Sequence, residues 1–292
     1  MNTKTADAAI PSTMHAVLLR GHGGLEQLEF RTDVPRPDPC AGEVLIRVGA
    51  AAINNTDVNT RVGWYSKTVE TATDAAAAAA DARDGGWSGK PFHFPRIQGI
   101  DACGTIVAVG EGVPVTRVGE RVLVDPVLRA GDGNLAGVGY LGAERDGAFA
   151  QYTTVPTGNA HRIESRLSDV ELATFPCAYG TAENLLTRAA VRSGDTVLVT
   201  GASGGVGAAA VQLACLRGAR VIAVSSRSKL RDRSSQAMTA PPAWASATVR
   251  RASVVRPLDP SPRMATLADV GRPPAPRIAS RAANPVRMTR SP

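Results

Sequence analysis

The stretch at 197–207 constrains the fold most, because an apolar run there breaks into a turn with four glycines and then into an alanine-rich segment. The apolar residues at 195–200 predict a strand, and the composition of 208–216 predicts a helix. A second apolar run, at 220–224, follows at the distance expected of a strand–helix–strand unit. This order predicts an α/β domain with a parallel sheet.

The glycine turn has the residue pattern of a phosphate-binding loop. Glycine lets the backbone turn tightly and approach a phosphate closely, and a helix start offers free N–H groups and the positive end of its dipole. We predict a dinucleotide site in which Gly201, Gly204 and Gly207 cradle the phosphates. The other residues predicted to line the turn are Ser203, Gly205 and Val206. The alternative is a plain strand–turn–helix core without a ligand.

The end of the second strand predicts which nicotinamide dinucleotide binds. Roughly 20 residues past the glycines, NAD-binding sheets place an acidic residue that accepts a hydrogen bond from the ribose 2′-hydroxyl. This chain instead has hydroxyls and cations there: Ser225, Ser226, Arg227 and Lys229. Such side chains suit a 2′-phosphate, so the sequence predicts NADP (NADPH) as the cofactor. A solvated basic turn at the strand end is the alternative.

The basic charge of the chain lies entirely in its last stretch. Residues 232–292 contain ten Arg, no Lys and three acidic residues, which equals the net charge of +7 of the whole chain. Ten of the twenty prolines also lie there, and Trp244 is the only aromatic residue. This composition predicts a disordered tail rather than packed structure. Because aromatic stacking residues are nearly missing, we do not expect a nucleic-acid partner.

Cysteine spacing and hydropathy narrow the class of protein further. The four cysteines are scattered singly, without a C-x-x-C pair, which argues against a disulfide framework or a structural zinc ribbon. No apolar run has the length of a membrane span, and residues 1–12 lack the apolar core of a signal peptide. We therefore expect a cytoplasmic protein with no membrane partner.

Upstream of the glycine turn, the chain is rich in predicted strands. Alternating or apolar runs between turn signals predict strands at 14–20, 25–34, 43–53, 104–109, 119–125 and 147–156. A cluster of short polar residues at 53–61 predicts a turn into a short helix. Further helices are predicted at 168–174, with Ser168 as the cap, and at 181–191. The expected organisation is a flexible N-terminus at 1–13, a β-rich domain at 14–165 with a surface insertion at about 66–92, an α/β domain at 166–231 and the tail.

Five motifs in this order carry a family resemblance. They lie at 95–101, 109–112, 118–122, 146–152 and 201–207. On these motifs, residues 14–231 resemble the medium-chain dehydrogenase/reductase superfamily, in its zinc-free quinone oxidoreductase branch. The resemblance implies a GroES-like catalytic domain, a Rossmann domain that binds the dinucleotide, an active site in the cleft between them, and a homodimer.

The resemblance also implies that the site holds no metal. Zinc-bearing relatives have a Cys-x-Thr-Asp turn, a Gly-His-Glu turn and a further Cys, which give three ligands and an open position. This chain has Asn54 in place of the first Cys and Ile100 in place of the His, and only Cys177 fits the pattern. A zinc alcohol dehydrogenase is therefore the disfavoured alternative.

The reaction implied is hydride transfer from NADPH to a small quinone, an enone or a related carbonyl compound. Asn54 and Tyr65 match pocket-lining polar positions of the branch, and Asp57 is a third candidate catalytic residue. Thr181 is expected to begin a helix and to contact the carboxamide or ribose of the cofactor. A purely structural role is the alternative for each residue. Asn54 would cap a turn, and Tyr65 would pack in the core. Asp57 would interact favourably with the helix dipole, and Thr181 would stand at a helix start without a ligand contact.

The Rossmann fold predicted here is incomplete. A complete sheet has six strands in the order 3-2-1-4-5-6, and only strands 1 and 2 are recognisable before the tail. We interpret 232–292 as an out-of-frame replacement of the native sequence, with a genuine fusion as the alternative. Because strand 1 would lack a neighbour on the strand-4 side, poor folding and weak NADPH binding are expected. A non-catalytic dinucleotide-binding or interaction module is the alternative function.

Overall fold

The computed structural model describes residues 10–70, 92–129 and 139–225, together with the short segments 253–254 and 277–278. The chain divides into two compact units, unit 1 (Met1–Cys177) and unit 2 (Ala178–Pro292). Ser226, Arg227 and Lys229, most of the predicted insertion and nearly all of the tail lie outside the described residues. No helix in the described part of the chain is long and apolar enough to cross a membrane.

Unit 1 is built mainly of antiparallel strands. Its strands are β1 (Thr13–Leu19), β2 (Leu28–Pro35), β3 (Glu43–Ala52), β4 (Arg96–Ile97), β5 (Asp101–Val109), β6 (Arg121–Val124), β7 (Val127–Leu128), β8 (Gly139–Tyr140), β9 (Tyr152–Pro156) and β10 (Ala160–Arg162). Its helices are α1 (Asn55–Arg61), α2 (Asp169–Leu172) and the first two residues of α3 (Pro176–Arg188). Short 3-10 turns cover Leu25–Gln27, Val115–Arg117 and Thr157–Asn159.

The core of unit 1 lies against a five-stranded sheet with the order β10-β6-β5-β3-β9. β3 and β5 pair along most of their length, from Val44↔Val109 to Ala52↔Asp101. Buried aliphatic side chains of this core include Ile46, Ile106 and Val122. Fully burying each such side chain stabilises the fold by roughly 1.5–3 kcal/mol. The β-rich character predicted for this part of the chain is therefore confirmed.

Unit 2 has the predicted strand–helix–strand core. β11 (Thr196–Thr200) pairs in parallel with β12 (Arg220–Val224), and α4 (Gly205–Leu216) connects them. Small side chains of α4 and aliphatic side chains of both strands form one buried cluster. The cluster includes Val197, Val199, Ala209, Ala210, Ala214 and Val221. The small residues let the helix lie close to the sheet, which confirms the α/β expectation for this unit.

Two further strands correct the prediction that β11 lacks a neighbour. β14 (Arg277–Ile278) pairs in parallel with β11, and β13 (Ser253–Val254) pairs in parallel with β12. The resulting order, β13-β12-β11-β14, corresponds to 3-2-1-4 of a doubly wound sheet. A two-residue strand is too short to show a hydrophobic period, so neither strand could be predicted from the residues. β14 pairs with two of the five residues of β11, so the expectation of poor folding and weak NADPH binding stays a prediction.

Two boundaries also differ from those predicted. α3 begins at Pro176 rather than at Thr181, because proline is favoured in the first turn of a helix, where its missing N–H costs nothing. Thr181 therefore lies inside α3 and does not begin it. The chain passes from unit 1 to unit 2 after Cys177. The domain boundary near residue 165 stays a prediction.

Candidate functional site

A polar turn at the start of α1 holds two of the predicted site residues. Asn54 precedes the helix in extended conformation, and its backbone N–H donates to Asp57 Oδ2 at 2.9 Å. The other carboxylate oxygen, Asp57 Oδ1, accepts from the backbone N–H groups of Gly99 at 3.1 Å and Ile100 at 3.2 Å. Asp57 thus ties the start of α1 to the loop before β5. Its oxygens are occupied by backbone donors, which is the geometry of a supporting group.

Burial sets the protonation behaviour of Asp57. Only 5% of the residue is exposed, and this burial raises the pKa of its carboxyl above the ordinary value, although the backbone N–H donors act in the opposite direction. Gln98 adds a further tie, because its Nε2 donates to the backbone carbonyl of Asp57 at 2.9 Å.

Asp101 is a member of this site that the sequence did not single out. It begins β5 and is fully buried. Its Oδ2 accepts from Asn54 Nδ2 at 2.5 Å, and its Oδ1 accepts from the backbone N–H of Cys177 at 2.7 Å. Burial, assisted by the charge of Asp57, raises the pKa of Asp101 to about 7. The sequence signal that could have identified Asp101 is an acidic residue at the first position of an otherwise apolar strand.

Cys177 and Tyr65 complete the group. Cys177 Sγ lies 4.0 Å from Thr56 Oγ1, and burial together with the charge of Asp101 raises the pKa of the thiol to about 12, so that it stays protonated. Tyr65 is hydrogen-bonded to the side chains of Asn59 and Thr56, and burial raises the pKa of its hydroxyl. Unit 1 therefore brings the predicted residues Asn54, Asp57 and Tyr65 into one polar group with Asp101 and Cys177.

A cleft elsewhere in unit 1 contains none of these residues. It has a volume of about 320 Å³ and lies beside β1, β2 and β4. Arg96 and Asp146 are on its wall and bond to each other at 2.9 Å, so their charges satisfy each other.

The glycine turn of unit 2 is made almost entirely of backbone. Gly201 has φ +65°, a left-handed conformation that favours glycine, and its carbonyl accepts from the N–H of Gly204 at 3.0 Å. A Cβ on Gly207 would lie 2.2 Å from the carbonyl oxygen of Gly201, so α4 can approach the turn only with glycine there. Gly204 and Gly205 meet no such restriction from the protein and are exposed.

The space at Gly204 and Gly205 fits a phosphate group. α4 begins at Gly205, and the first N–H groups of a helix have no partner within the helix. These donors belong to Gly205, Val206 and Gly207, and half-buried Ser203 lies just before them. Neither packing nor backbone conformation requires glycine at 204. Close approach of a ligand to the backbone would require it, because a side chain there would occupy the space of the ligand. A pyrophosphate would meet these donors and the positive end of the helix dipole.

A second feature of unit 2 that fits a ligand is Ser225, directly after β12. Its Oγ is buried and has no hydrogen-bond partner among the described residues. A buried hydroxyl without a partner is costly, and a bound ligand atom would satisfy it. Thr181 is exposed in the interior of α3, and nothing in the described part of unit 2 assigns it a ligand contact.

The side chains of unit 1 do not fit a catalytic zinc ion. Asn54 Nδ2 is bonded to Asp101 and Ile100 offers no ligand atom, so Cys177 alone of these three positions has a side chain that zinc prefers. Across residues 10–70, 92–129 and 139–225, no three His, Cys, Asp or Glu side chains are grouped so that they could hold a metal ion. Three protein ligands are the usual minimum for a catalytic zinc site.

These features define a class of oxidoreductases with a β-rich GroES-like domain and a dinucleotide-binding domain. The family model for the alcohol dehydrogenase GroES-like domain matches residues 40–165. An acryloyl-coenzyme A reductase of Metallosphaera sedula is 33% identical over 224 residues, which cover 73% of this chain and 58% of the relative. The human quinone oxidoreductase is 29% identical over 210 residues, with 72% of this chain and 52% of the relative covered.

Among solved structures, a protein of Sinorhizobium meliloti 1021 assigned as an alcohol dehydrogenase is similar to this chain. It has 49% sequence identity and a TM-score of 0.66, and the match covers 77% of this chain and 60% of that chain. This chain belongs to the medium-chain dehydrogenase/reductase superfamily, in its quinone oxidoreductase-like branch. It spans little more than half the length of the two curated relatives.

Proposed function

We propose that this chain is an NADPH-dependent, zinc-independent oxidoreductase that transfers hydride to a quinone or to the β-carbon of an enone or related carbonyl compound. The observation that carries the proposal is the hydrogen bond between Asn54 Nδ2 and Asp101, because it puts a neutral amide where zinc-bearing relatives have a metal ligand. A carbonyl oxygen that gains negative charge needs hydrogen-bond donors when no metal is present to stabilise it.

The glycine turn supports the cofactor part of the proposal. Gly204 and Gly205 leave room for the pyrophosphate, and the first N–H groups of α4 donate to it. When bound, the reduced nicotinamide supplies the hydride. The work of the chain is to bind the dinucleotide, to orient the acceptor and to donate hydrogen bonds to it.

NADPH rather than NADH is proposed from the end of β12. The Ser225 hydroxyl is buried without a partner among the described residues, and it suits an oxygen of the ribose 2′-phosphate. Ser226, Arg227 and Lys229 follow in the sequence and would add a hydroxyl and two positive charges. No acidic side chain at 225–229 is present to accept from a free 2′-hydroxyl.

In unit 1, Asn54 and Tyr65 are the proposed donors to the acceptor oxygen. The two share one polar group, in which Asp57 holds the backbone of Asn54. Tyr65 stays protonated over the whole neutral range, because burial raises the pKa of its hydroxyl. We propose Asp57 as the group that supports this arrangement and Thr181 as a contact of the nicotinamide carboxamide or ribose.

The test is turnover of NADPH by the purified full chain with a panel of small quinones and enones, with and without a metal chelator. We expect oxidation of NADPH that the chelator does not change. Tyr65→Phe should lower kcat roughly 10-fold or more by removing one donor, whereas Tyr152→Phe, outside the site, should not. Binding without oxidation would favour a dinucleotide-binding module, and chelator-sensitive alcohol oxidation would favour a zinc alcohol dehydrogenase.

A further inference from the structure

Two buried carboxylates, those of Asp57 and Asp101, accept hydrogen bonds from different parts of Asn54. Asp57 accepts from its backbone N–H and from the N–H groups of Gly99 and Ile100, so it fixes the main chain. The Asp101 carboxylate accepts from the side-chain amide of Asn54 and, with its other oxygen, from the backbone N–H of Cys177. The second carboxylate therefore acts on the one part of Asn54 that can reach an acceptor.

The bond from Cys177 limits what Asp101 can do. Because a backbone N–H always donates, the Asp101 oxygen that faces Cys177 must be an acceptor. The other oxygen then faces Asn54, and in the ionised carboxylate it too can only accept. Above about pH 7, where Asp101 is ionised, Asn54 must consequently turn Nδ2, and not Oδ1, towards Asp101. One hydrogen of Nδ2 is used in this bond, Oδ1 lies towards the backbone N–H of Asp57 in a capping-box arrangement, and the second Nδ2 hydrogen is thereby held in a fixed position.

We propose that Asp101 is a positioning residue, which keeps the Asn54 carboxamide in the one orientation that leaves an Nδ2 hydrogen for the acceptor oxygen. The inference rests on the proposed function, in which Asn54 donates to that oxygen. Without Asp101, the capping contact with the backbone N–H of Asp57 would be the remaining restraint on the carboxamide, and rotation by half a turn about the Cβ–Cγ bond would exchange Nδ2 with Oδ1. An oxygen would then face the developing negative charge and repel it.

The same geometry supplies a variant that reverses the amide. In Asp101→Asn, the backbone N–H of Cys177 still requires an acceptor, so the new Oδ1 takes that side and the new Nδ2 faces Asn54. Two donors cannot bond to each other, and Asn54 relieves the conflict by turning its Oδ1 inward. The hydrogen bond is preserved with opposite polarity, and the volume of the side chain is nearly unchanged.

A test independent of turnover uses the side-chain amide protons of Asn54 in the ¹⁵N-labelled full chain, assigned by their loss in Asn54→Asp. In the wild type at about pH 8, above the pKa of about 7 of Asp101, we expect one proton shifted strongly downfield, because it is bonded to a carboxylate. In Asp101→Asn that shift should disappear. An unshifted amide in the wild type, or a downfield proton that persists in Asp101→Asn, would overturn the positioning role whatever the activity.

The kinetic test separates positioning from mere structural support. We expect Asp101→Asn to lower kcat at least 10-fold and to change KM less than 3-fold, with a melting temperature no lower than that of the wild type at neutral pH. Asp33→Asn, an exposed carboxylate paired with Arg31, is the control and should leave kcat unchanged. A loss of kcat that accompanies a lowered melting temperature, or an unchanged kcat, contradicts the inference.

The two tests fail in distinguishable ways. If the wild type oxidises no NADPH with any acceptor, the proposed function is wrong, and the amide shift still decides whether Asp101 orients Asn54. If the wild type turns over and the amide shift is present, but Asp101→Asn keeps full kcat, Asn54 is oriented as inferred and its orientation has no role in the reaction. Either result overturns the inference that orientation serves catalysis.

Discussion

The two candidate sites of this chain differ in the groups they offer to a ligand: one offers backbone N–H groups and the other offers side chains. The glycine turn of unit 2 offers backbone N–H groups and empty space, and its residues lie within seven positions of one another, 201–207. The polar group of unit 1 consists of side chains from α1 and the residues that flank it, from β5 and from the start of α3, and its central bonds join residues 47 and 76 positions apart. A backbone site tolerates side-chain changes that leave space free, whereas a side-chain site depends on the charge of each buried group.

The largest effect on stability is expected at Gly207, where the glycine turn leaves no room for a side chain. Gly207→Ala puts a Cβ 2.2 Å from the Gly201 carbonyl oxygen and should destabilise unit 2 by about 3 kcal/mol or more. Gly204→Ala is the matched control, since the nearest atom to its Cβ is 3.4 Å away. It should leave stability within about 1 kcal/mol while weakening dinucleotide binding at least 10-fold. Thermal and urea unfolding, with a binding titration, check the pair; equal loss of stability in both variants would contradict the account.

The charge of Asp101 should appear in the pH dependence of stability. A carboxyl whose folded-state pKa is about 7, against an ordinary 3.8, stabilises the fold only while it is protonated. Stability is therefore lost as pH rises from about 4 through about 7, by on the order of 4 kcal/mol. Asp101→Asn, which cannot ionise, should lack this loss. Asp57 and Cys177 are titratable groups that interact electrostatically with Asp101, and both are present in either protein.

Urea unfolding of the wild type and Asp101→Asn between about pH 4 and about pH 8 measures this difference. The free energy of unfolding of the variant should exceed that of the wild type increasingly as pH rises. A difference that stays constant with pH would show that Asp101 is ionised in the folded protein at an ordinary pKa. An ionised, destabilising carboxylate retained in a fold is typical of functional sites.

A smaller effect is expected from Asp57→Asn, which keeps the shape of the side chain but replaces one acceptor with a donor. At least one of its three backbone N–H partners then loses its acceptor, at a cost of about 2 kcal/mol. Because Asp57 fixes the start of α1, the loss should appear in unfolding of unit 1. Chemical denaturation with Asp33→Asn as the exposed control tests it, and equal stability of the two variants would contradict a supporting role.

The smallest effect on stability is expected at Ser225. Its hydroxyl has no partner among the described residues, so Ser225→Ala should change the free energy of unfolding by less than about 1 kcal/mol. Affinity for NADPH should fall several-fold, and affinity for NADH should stay the same. Equal losses of affinity for NADPH and NADH would show that Ser225 does not contact the 2′-phosphate.

The sequence predicts the glycine turn better than the polar group of unit 1, because the turn is formed by neighbouring residues and the polar group by distant ones. The strand, turn and helix around 201–207 were predictable, because periodicity and glycine spacing are local properties. Asn54 and Tyr65 were predicted as site residues from the family resemblance, with Asp57 as a third candidate, but their contacts were not predicted. Asp101 was missed, since its role arises from β5 bringing it to Asn54 and to the start of α3, and no local pattern encodes that approach.

The added strands of unit 2 were missed for a related reason. β13 and β14 have two residues each, so their pairing with β12 and β11 depends on the sheet edges and not on their own sequence. The early start of α3, by contrast, had a signal in Pro176, which the predicted helix at 181–191 did not use.

The most direct test of the account is a fluorescence titration of the purified full chain with NADPH and, separately, NADH. Binding to the glycine turn with a basic 2′-phosphate contact predicts saturable binding of NADPH, at least 10-fold tighter than that of NADH, and its loss in Gly204→Ala. No saturable signal with either cofactor, or a preference for NADH, would contradict the claim that the turn and the end of β12 form an NADPH site.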